Sequence, residues 1–203
     1  MLEGDHEIVL TDQTNLPMRL QHHPDTVTLH LGPRSFFQTN TPVATRLYDL
    51  ARTWVADLAP GRVVDLYCGV GGFALHIAAP GREVTGIEIS ADAVAAAERA
   101  RHEAALPGRV DFVVGDATAP EHARLLHADL VVLNPPRRGL GTTLADRLEA
   151  SGASHLLYSS CDPASLARDV ARLRSYVPVR ARLLDMFPQT PHAEVLMLLR
   201  RVS

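Results

Sequence analysis

Residues 62–79 constrain the fold of this 203-residue chain more than any other stretch. They begin with a short β-branched and apolar run, continue through a glycine-rich turn, and end in an apolar segment that predicts a short buried helix. Gly69, Gly71 and Gly72 allow a sharp turn and a close approach to a ligand, because no Cβ is in the way. Glu88 ends the next apolar run, where an acid can accept hydrogen bonds from a ribose, as in nucleotide-binding βαβ units. The acid favours a nucleoside cofactor over a turn that binds nothing.

Strands and helices are predicted to alternate from residue 62 onward. Strands are expected near 62–66, 83–88, 110–114, 129–133 and 154–159, with helices between them. The clearest helix covers 91–103 and follows the capping residue Ser90. This rhythm predicts an α/β fold with a mostly parallel sheet and helices on both faces. Two final apolar runs, 179–186 and 194–201, are separated by a proline-rich turn without a helix, so we expect a terminal antiparallel pair at the sheet edge.

The first forty residues follow a different pattern. Short alternating runs at 6–10, 16–20 and 26–31 predict strands separated by proline and polar turns. We expect residues 1–39 to be the remnant of a β-rich subdomain and residues 40–203 to form the main domain. The main domain would begin with a helix capped by Asn40 or Thr41, with Pro42 in its first turn.

Composition limits the classes of partner. The net charge is −3 and the pI is about 6.3, so no global basic surface for nucleic acid exists, and any RNA contact has to be local. All twenty basic residues are Arg, which suits phosphate and base stacking better than Lys. Cys68 and Cys161 are the two cysteines, too few for a disulfide framework or a four-thiolate metal site. No run is long enough for a membrane span and the first residues do not resemble a signal peptide, so a cytoplasmic location is expected.

Three polar clusters follow predicted strands, where ligands bind in open α/β sheets. Asp116 is placed to contact an adenine edge, although a solvated turn residue is nearly as good an interpretation. Asn134 opens an Asn-Pro-Pro-Arg loop ending at Arg137, and the prolines stiffen it so that the amide is presented rigidly. Cys161 precedes a helix predicted to begin at Pro163, whose N-terminus favours the thiolate. An inert buried thiol is the alternative for this cysteine.

The motifs, taken together, resemble those of the RNA uracil-C5 methyltransferases. They are Asp-Leu-Tyr-Cys-Gly-Val-Gly-Gly-Phe, Gly-Ile-Glu-Ile, Asn-Pro-Pro-Arg-Arg-Gly-Leu-Gly, Tyr-Ser-Ser-Cys-Asp-Pro and Asp-Met-Phe-Pro-Gln-Thr-Pro-His-Ala-Glu-Val. They occur in family order between about Ser35 and Arg201. The first and third resemble the branch that methylates the uridine-747 site of bacterial 23S rRNA.

The resemblance implies a Rossmann-like S-adenosylmethionine-dependent methyltransferase fold with a seven-stranded sheet, and 23S rRNA as the expected partner. It implies that Cys161 is the nucleophile and Glu194 the general base, although Glu194 would otherwise be interpreted as a surface acid at a strand end. Asn134 and Arg137 are expected to hydrogen-bond the uracil carbonyls. The residues expected to hold S-adenosylmethionine or line its site are Gln38, Tyr67, Gly69, Gly71, Glu88, Asp116 and Asn134.

Two departures from the family pattern stand out. The tRNA-modifying relatives have Asp where this chain has Asn134, as in the 23S branch. Full-length 23S enzymes of this type also have an N-terminal segment with four cysteines for an iron–sulfur cluster, and a β-rich RNA-binding region. This sequence matches only the end of the second region, so we expect no iron–sulfur cluster and no metal in this chain.

Two other functions remain open at this point. One is an amino-group methyltransferase acting on adenine, cytosine or glutamine, since such enzymes also have an Asn-Pro-Pro loop. They usually place an aromatic residue after the prolines, where this chain has Arg137, and they need no cysteine nucleophile. The other is a truncated, non-catalytic S-adenosylmethionine-binding domain. The sequence does not predict an oligomeric state.

Overall fold

The computed structural model describes residues 2–3, 6–7, 15–22, 25–33, 35, 38 and 40–202. At the N-terminal end, β1 (Leu2–Glu3) pairs with β2 (His6–Glu7), and β3 (Leu16–His22) forms an antiparallel hairpin with β4 (Asp25–Leu31). The predicted strands at 16–20 and 26–31 are confirmed. Most of the strand predicted at 6–10 lies outside the described residues.

The main body contains a seven-stranded sheet. Its strands are β5 (Arg62–Leu66), β6 (Glu83–Glu88), β7 (Arg109–Val114), β8 (Leu130–Leu133), β9 (His155–Ser160), β10 (Tyr176–Leu184) and β11 (Glu194–Arg201). The spatial order is β10-β11-β9-β8-β5-β6-β7, and β5 to β9 are parallel. β11 runs antiparallel to both β9 and β10, with Val195 opposite Ser160. The predicted parallel sheet and its terminal antiparallel pair are confirmed.

The described part of the chain has five α-helices, of which the first precedes the seven-stranded sheet and the other four connect its strands. They are α1 (Thr41–Leu58), α2 (Gly72–His76), α3 (Ala91–Ala104), α4 (Gly141–Ser151) and α5 (Pro163–Arg172), with a short 3-10 helix at Pro120–His122. The predicted caps form: the Asn40 side chain accepts a hydrogen bond from the Val43 N–H, and the Ser90 hydroxyl accepts one from the Ala93 N–H. None of the helices in the described ranges is both long and apolar enough to cross a membrane.

The core has two layers because consecutive strand residues point to opposite faces of the sheet. Val63 packs into a cluster with α1, α3 and the β3–β4 hairpin, whereas Val64 packs into a second cluster with α4 and α5. Helices therefore cover both faces, as predicted.

The β3–β4 hairpin contributes to the first of these clusters. Leu20, Val27 and Leu29 are fully buried within it. His30 Nε2 lies 2.6 Å from Glu103 Oε2, which joins β4 to α3. The division into residues 1–39 and 40–203 stays a prediction, although this hairpin and the main body share one hydrophobic core.

Candidate active site

A cavity of about 580 Å³ opens at the carboxyl ends of the parallel strands. Nine of the ten residues predicted for the site line it: Gln38, Tyr67, Gly69, Glu88, Asp116, Asn134, Arg137, Cys161 and Glu194. The sheet brings them together because parallel strands end at the same edge, while β11 begins there.

Gly71 is the exception, and its predicted contact with a cofactor stays a prediction. It does not line the cavity, and a Cβ on it would lie 2.9 Å from the Phe112 ring and 3.2 Å from Ala97. Its φ is +87°. The positive φ and the close neighbours show that Gly71 is needed for the turn and for close packing of the loop against β7 and α3.

The glycine-rich turn presents open backbone to the cavity. Gly69 has φ +55°, and no heavy atom lies within 4 Å of the place where its Cβ would be. The Gly69 N–H donates to Glu88 Oε2 at 3.1 Å, and the Ser90 N–H donates to Glu88 Oε1 at 3.0 Å. Two backbone donors thus hold the Glu88 carboxylate at the cavity wall.

Asp65 lies beneath this turn and was missed by the sequence analysis. It is fully buried, and its Oδ2 accepts a hydrogen bond from the Ala74 N–H at 3.0 Å. Its Oδ1 has no hydrogen-bond partner among the described residues. Burial is the main cause that raises the pKa of Asp65 to about 8, with the Ala74 N–H opposing the rise and the nearby Glu88 charge adding to it. Its position as an acid inside an apolar strand, directly before the turn, could have marked Asp65 as a buried carboxyl group near the site.

Asp116 is exposed and folds back on its own turn. Its Oδ1 accepts hydrogen bonds from the Thr118 N–H at 2.7 Å and from the Thr118 hydroxyl at 2.8 Å. These bonds lower the pKa of Asp116. The turn interpretation is therefore confirmed, and because Asp116 also borders the cavity, contact with an adenine edge stays a prediction.

Cys161 lies between β9 and α5 and is half-buried. Burial raises the pKa of its thiol, the negative charge of Glu194 raises it further, and the Arg137 guanidinium opposes both effects. The expectation that the helix N-terminus favours the thiolate stays a prediction, and in the folded chain burial and Glu194 act against the thiolate. The Asp162 side chain caps α5 by accepting a hydrogen bond from the Ala164 N–H at 3.0 Å.

Glu194 is the first residue of β11 and is fully buried, which rules out a solvated surface acid. Its Oε1 accepts a hydrogen bond from the Ser159 hydroxyl. Its Oε2 has no partner with normal hydrogen-bond geometry among the described residues, although the buried Gln38 side chain lies near the carboxyl. Burial raises the pKa of Glu194, while Ser159 and Gln38 oppose the rise. A buried acceptor without a partner, on a cavity wall, is available to a bound molecule.

Two aromatic side chains of the cavity were also missed. Tyr48 lies on α1 and lines the cavity. Its ring stacks on His76, with centroids 4.7 Å apart. Phe187 follows β10 and meets the His192 ring edge-on at 6.4 Å. Phe187 belongs to the last of the motifs that resemble the RNA uracil-C5 methyltransferases, and that motif could have marked it as a site residue.

Comparison with known families decides the classification. Residues 33–158 match the model of the methyltransferase small domain, which is more than half of the chain. The chain belongs to this methyltransferase family. Residues 124–202, which carry Asn134, Cys161 and Glu194, match the model of the tRNA (uracil-5-)-methyltransferases.

Curated relatives of this methyltransferase extend the match along the whole sequence. It is 47% identical over 200 residues to the 23S rRNA (uracil(747)-C(5))-methyltransferase RlmC of Vibrio cholerae serotype O1, covering 98% of this chain and 52% of the relative. It is 46% identical over 211 residues to the same enzyme of Halothiobacillus neapolitanus, covering 100% of this chain and 53% of the relative. The chain spans about half the length of these relatives. The resemblance to RNA uracil-C5 methyltransferases is confirmed.

Solved structures confirm the fold of the methyltransferase. The Pyrococcus abyssi tRNA (uracil-54, C5)-methyltransferase in complex with S-adenosyl-L-homocysteine superposes with a TM-score of 0.80 at 32% identity, covering 92% of this chain and 44% of that chain. Magnesium protoporphyrin IX methyltransferase from Synechocystis PCC 6803, with bound S-adenosylmethionine, gives a TM-score of 0.62 at 19% identity, covering 83% and 86%. The second likeness supports only the Rossmann-like methyltransferase fold.

Proposed function

We propose that this methyltransferase transfers a methyl group from S-adenosylmethionine to C5 of a uridine in RNA, with 23S rRNA as the substrate. The observation that carries the proposal is that the Cys161 thiol and the buried Glu194 carboxyl line the same cavity as the Glu88 carboxylate. Likeness to the curated 23S enzymes supports the choice of substrate.

The residues at the glycine-rich turn fit S-adenosylmethionine. The cavity volume of about 580 Å³ lies in the range of small-molecule sites. Gly69 offers backbone without a Cβ, and the fixed Glu88 carboxylate can still accept hydrogen bonds from ribose hydroxyls through its remaining lone pairs. Tyr67, Asp116 and Asn134 would complete the binding wall. When bound, S-adenosylmethionine supplies an electrophilic methyl group.

Cys161 is proposed to activate the uracil ring, because C5 of uracil is too weak a nucleophile to take a methyl group unaided. The thiolate forms a bond to C6, and the electron pair of the C5–C6 double bond moves toward the C4 carbonyl oxygen as an enolate. Asn134 and Arg137 are proposed to donate hydrogen bonds to the base carbonyls and to stabilise that negative charge. C5 is then able to take the methyl group.

Glu194 is proposed to complete the reaction. It accepts the C5 proton, the C5–H electron pair restores the C5–C6 double bond, and the bond between C6 and the Cys161 sulfur breaks. Its partnerless Oε2 is the acceptor that this step needs. The Ser159 hydroxyl, bound to Oε1, fixes the carboxyl in place.

RNA must deliver the uridine unstacked, because the reacting atoms lie inside the cavity. Arg137 and Arg138 are exposed at its rim and are proposed to contact phosphates. Arg168, exposed on α5, is a third candidate.

Glu194→Gln provides the decisive test. Glutamine keeps the size of the side chain but does not take up the C5 proton at neutral pH, whereas thiolate addition and methyl transfer do not use this base. We expect methylated RNA to remain covalently attached to Cys161, detected on a denaturing gel with a labelled methyl donor and a uridine-containing hairpin at high concentration. Mass spectrometry of the linked peptide identifies the cysteine.

The controls separate this function from the alternatives. Cys161→Ala, alone or with Glu194→Gln, should form no adduct, and Glu83→Gln, at the exposed start of β6, should turn over like the native chain. Normal turnover by Glu194→Gln without an adduct would rule Glu194 out as the base. Undiminished methylation by Cys161→Ala would point to an amino-group methyltransferase.

A further inference from the structure

Asp169 lies within α5, is only 2% exposed, and has no role in the methyl transfer described above. Its Oδ2 accepts a hydrogen bond from the Tyr158 hydroxyl at 2.7 Å and another from the Leu140 N–H at 2.8 Å. Tyr158 belongs to β9, which leads into Cys161, and Leu140 immediately precedes α4. One buried carboxylate therefore joins the strand before Cys161, the helix after it, and the end of the loop that carries Arg137.

The loop presses closely on this carboxylate at Gly139. A Cβ on Gly139 would lie 2.3 Å from Asp169 Oδ2, and the residue has φ +83°. The Gly139 N–H also donates to the Pro136 carbonyl at 2.9 Å, which closes a four-residue turn with Arg137 and Arg138 in its centre. The last residue of the turn is thus fixed against α5, and the direction of the two arginines depends on it.

We propose that Asp169 is a positioning residue that holds the turn of residues 136–139 against α5 and so keeps the Arg137 guanidinium beside the Cys161 thiol. The catalytic consequence rests on the proposed function, since it matters only if Cys161 is the nucleophile. Asp169 touches neither reacting partner and acts through Arg137.

A purely structural role is the competing explanation. Loss of Asp169 would leave the Tyr158 hydroxyl and the Leu140 N–H buried without an acceptor, which destabilises any fold. The positioning role predicts an additional effect on the pKa of Cys161, because Arg137 favours the thiolate, whereas Glu194 and burial oppose it. Moving the turn should therefore make the Cys161 thiol less acidic, and stability alone would not do so.

The test measures alkylation of Cys161 by iodoacetamide in the full chain, from neutral to strongly alkaline pH, with peptide mass spectrometry to separate it from Cys68. Cys68 is buried and reports unfolding in the same experiment. Gly139→Ala moves the turn from the loop side, and Asp169→Ala releases it from the helix side. Each should slow alkylation about three- to tenfold at neutral pH and move its midpoint upward.

Two comparisons make the result specific. Gly141→Ala is the matched control, because Gly141 also has a positive φ, +72°, but has open space where a Cβ would be. Arg137→Ala should reproduce the shift, and adding Gly139→Ala to it should change nothing further. If Gly139→Ala behaves like Gly141→Ala, or if its effect adds fully to that of Arg137→Ala, the proposal is wrong.

If Asp169→Ala does not fold, two other variants still test the proposal. Tyr158→Phe removes one of the two donors and should give a smaller shift in the same direction, and Gly139→Ala leaves α5 intact. If the variants show the expected alkylation shifts but the native chain methylates no RNA, the proposed function is wrong and the positioning role is supported. If the native chain transfers the methyl group but Gly139→Ala shows no alkylation shift, the proposed function is supported and the positioning role is wrong.

Discussion

Cys161 and Glu194, the proposed nucleophile and general base, line one cavity although the ionised form of each is unfavourable there. Burial raises the pKa of both groups, and the charge of Glu194 adds to the effect on the thiol. A proton on Glu194 removes that charge, whereas Arg137 favours the thiolate in either state. In the free site, burial and a charged Glu194 therefore both act against formation of the Cys161 thiolate, the form that reacts with electrophiles.

Glu88 is expected to account for much of the affinity for S-adenosylmethionine. Its carboxylate is already held by the N–H groups of Gly69 and Ser90, so binding a ribose needs little further ordering. Glu88→Ala should weaken binding by roughly 1–3 kcal/mol through loss of charge-assisted hydrogen bonds. Isothermal titration calorimetry measures the change, with Glu83→Ala at the exposed end of the same strand as the control. No binding by the folded native chain would contradict the cofactor assignment.

Asp65 should make stability depend on pH. Its folded pKa, raised to about 8, exceeds the ordinary carboxyl value, so the folded chain holds this proton more tightly than the unfolded chain does. Its contribution is fully present below the ordinary carboxyl pKa and is lost as the pH rises to about 8. Asp65→Asn keeps an acceptor for Ala74 but does not ionise, so it should remove this slope. Above that range it should be more stable than the native chain by roughly 1–4 kcal/mol.

Urea unfolding at a series of pH values measures the effect of Asp65→Asn. Asp146→Asn, on the exposed side of α4, should leave the slope unchanged. A variant with the native slope would show that Asp65 is not the group responsible.

The location of a residue at the cavity was predictable where a motif marked the position, and was missed where burial decided it. Cys161 and Asn134 follow strands in recognisable loops, and the structure places both on the cavity. Glu194 depended on the family resemblance, because its full burial arises from pairing between β9 and β11 that spacing along the chain does not reveal. Asp65 and Tyr48 depend on packing between α1, α2 and β5, which a single sequence does not specify.

Among the elements, β6 has little space around Gly86. A Cβ there would lie 2.6 Å from the Phe112 ring and 2.8 Å from Cys68 Sγ. Gly86→Ala should therefore destabilise the fold by roughly 1–3 kcal/mol through overpacking, measured by denaturant unfolding. Gly61→Ala is the matched control, since its Cβ would meet its nearest neighbour, an Asp129 oxygen, at an ordinary 3.4 Å. Equal stability of the two variants would contradict the close packing of β6 against Phe112.

The elements themselves were well predicted when the local signals agreed. For α3, the cap at Ser90 and the run that follows predicted 91–103, and the helix covers 91–104. β10 begins at Tyr176, three residues before the predicted strand, because pairing with β11 extends to Arg201 across Pro178. The order of the strands was not predictable in detail, since it depends on contacts between distant segments.

For the whole molecule, charge limits contact with RNA. The net charge is −3, and only local arginines can meet phosphates. RNA binding by this chain should therefore be weak and should weaken further as salt rises. Replacing Arg137 and Arg138 together by Ala should reduce the salt slope by about one unit for each phosphate that the variant no longer neutralises.

A salt titration of binding to a ribosomal RNA hairpin measures this slope. Arg109→Ala is the control, because Arg109 is exposed at the start of β7, at the sheet edge opposite the cavity. Tight binding that does not respond to salt would contradict the prediction.

The pairing of β11 with β9 has a consequence for how this protein can change in evolution. Glu194 begins β11, and Val195 lies opposite Ser160, the residue before Cys161. A slip of one residue would turn every side chain of β11 to the other face of the sheet and carry the carboxyl out of the site. Insertions and deletions should therefore be purged from residues 194–201. In β11, a change in the number of residues should therefore be as harmful to the proposed reaction as replacement of Glu194 itself.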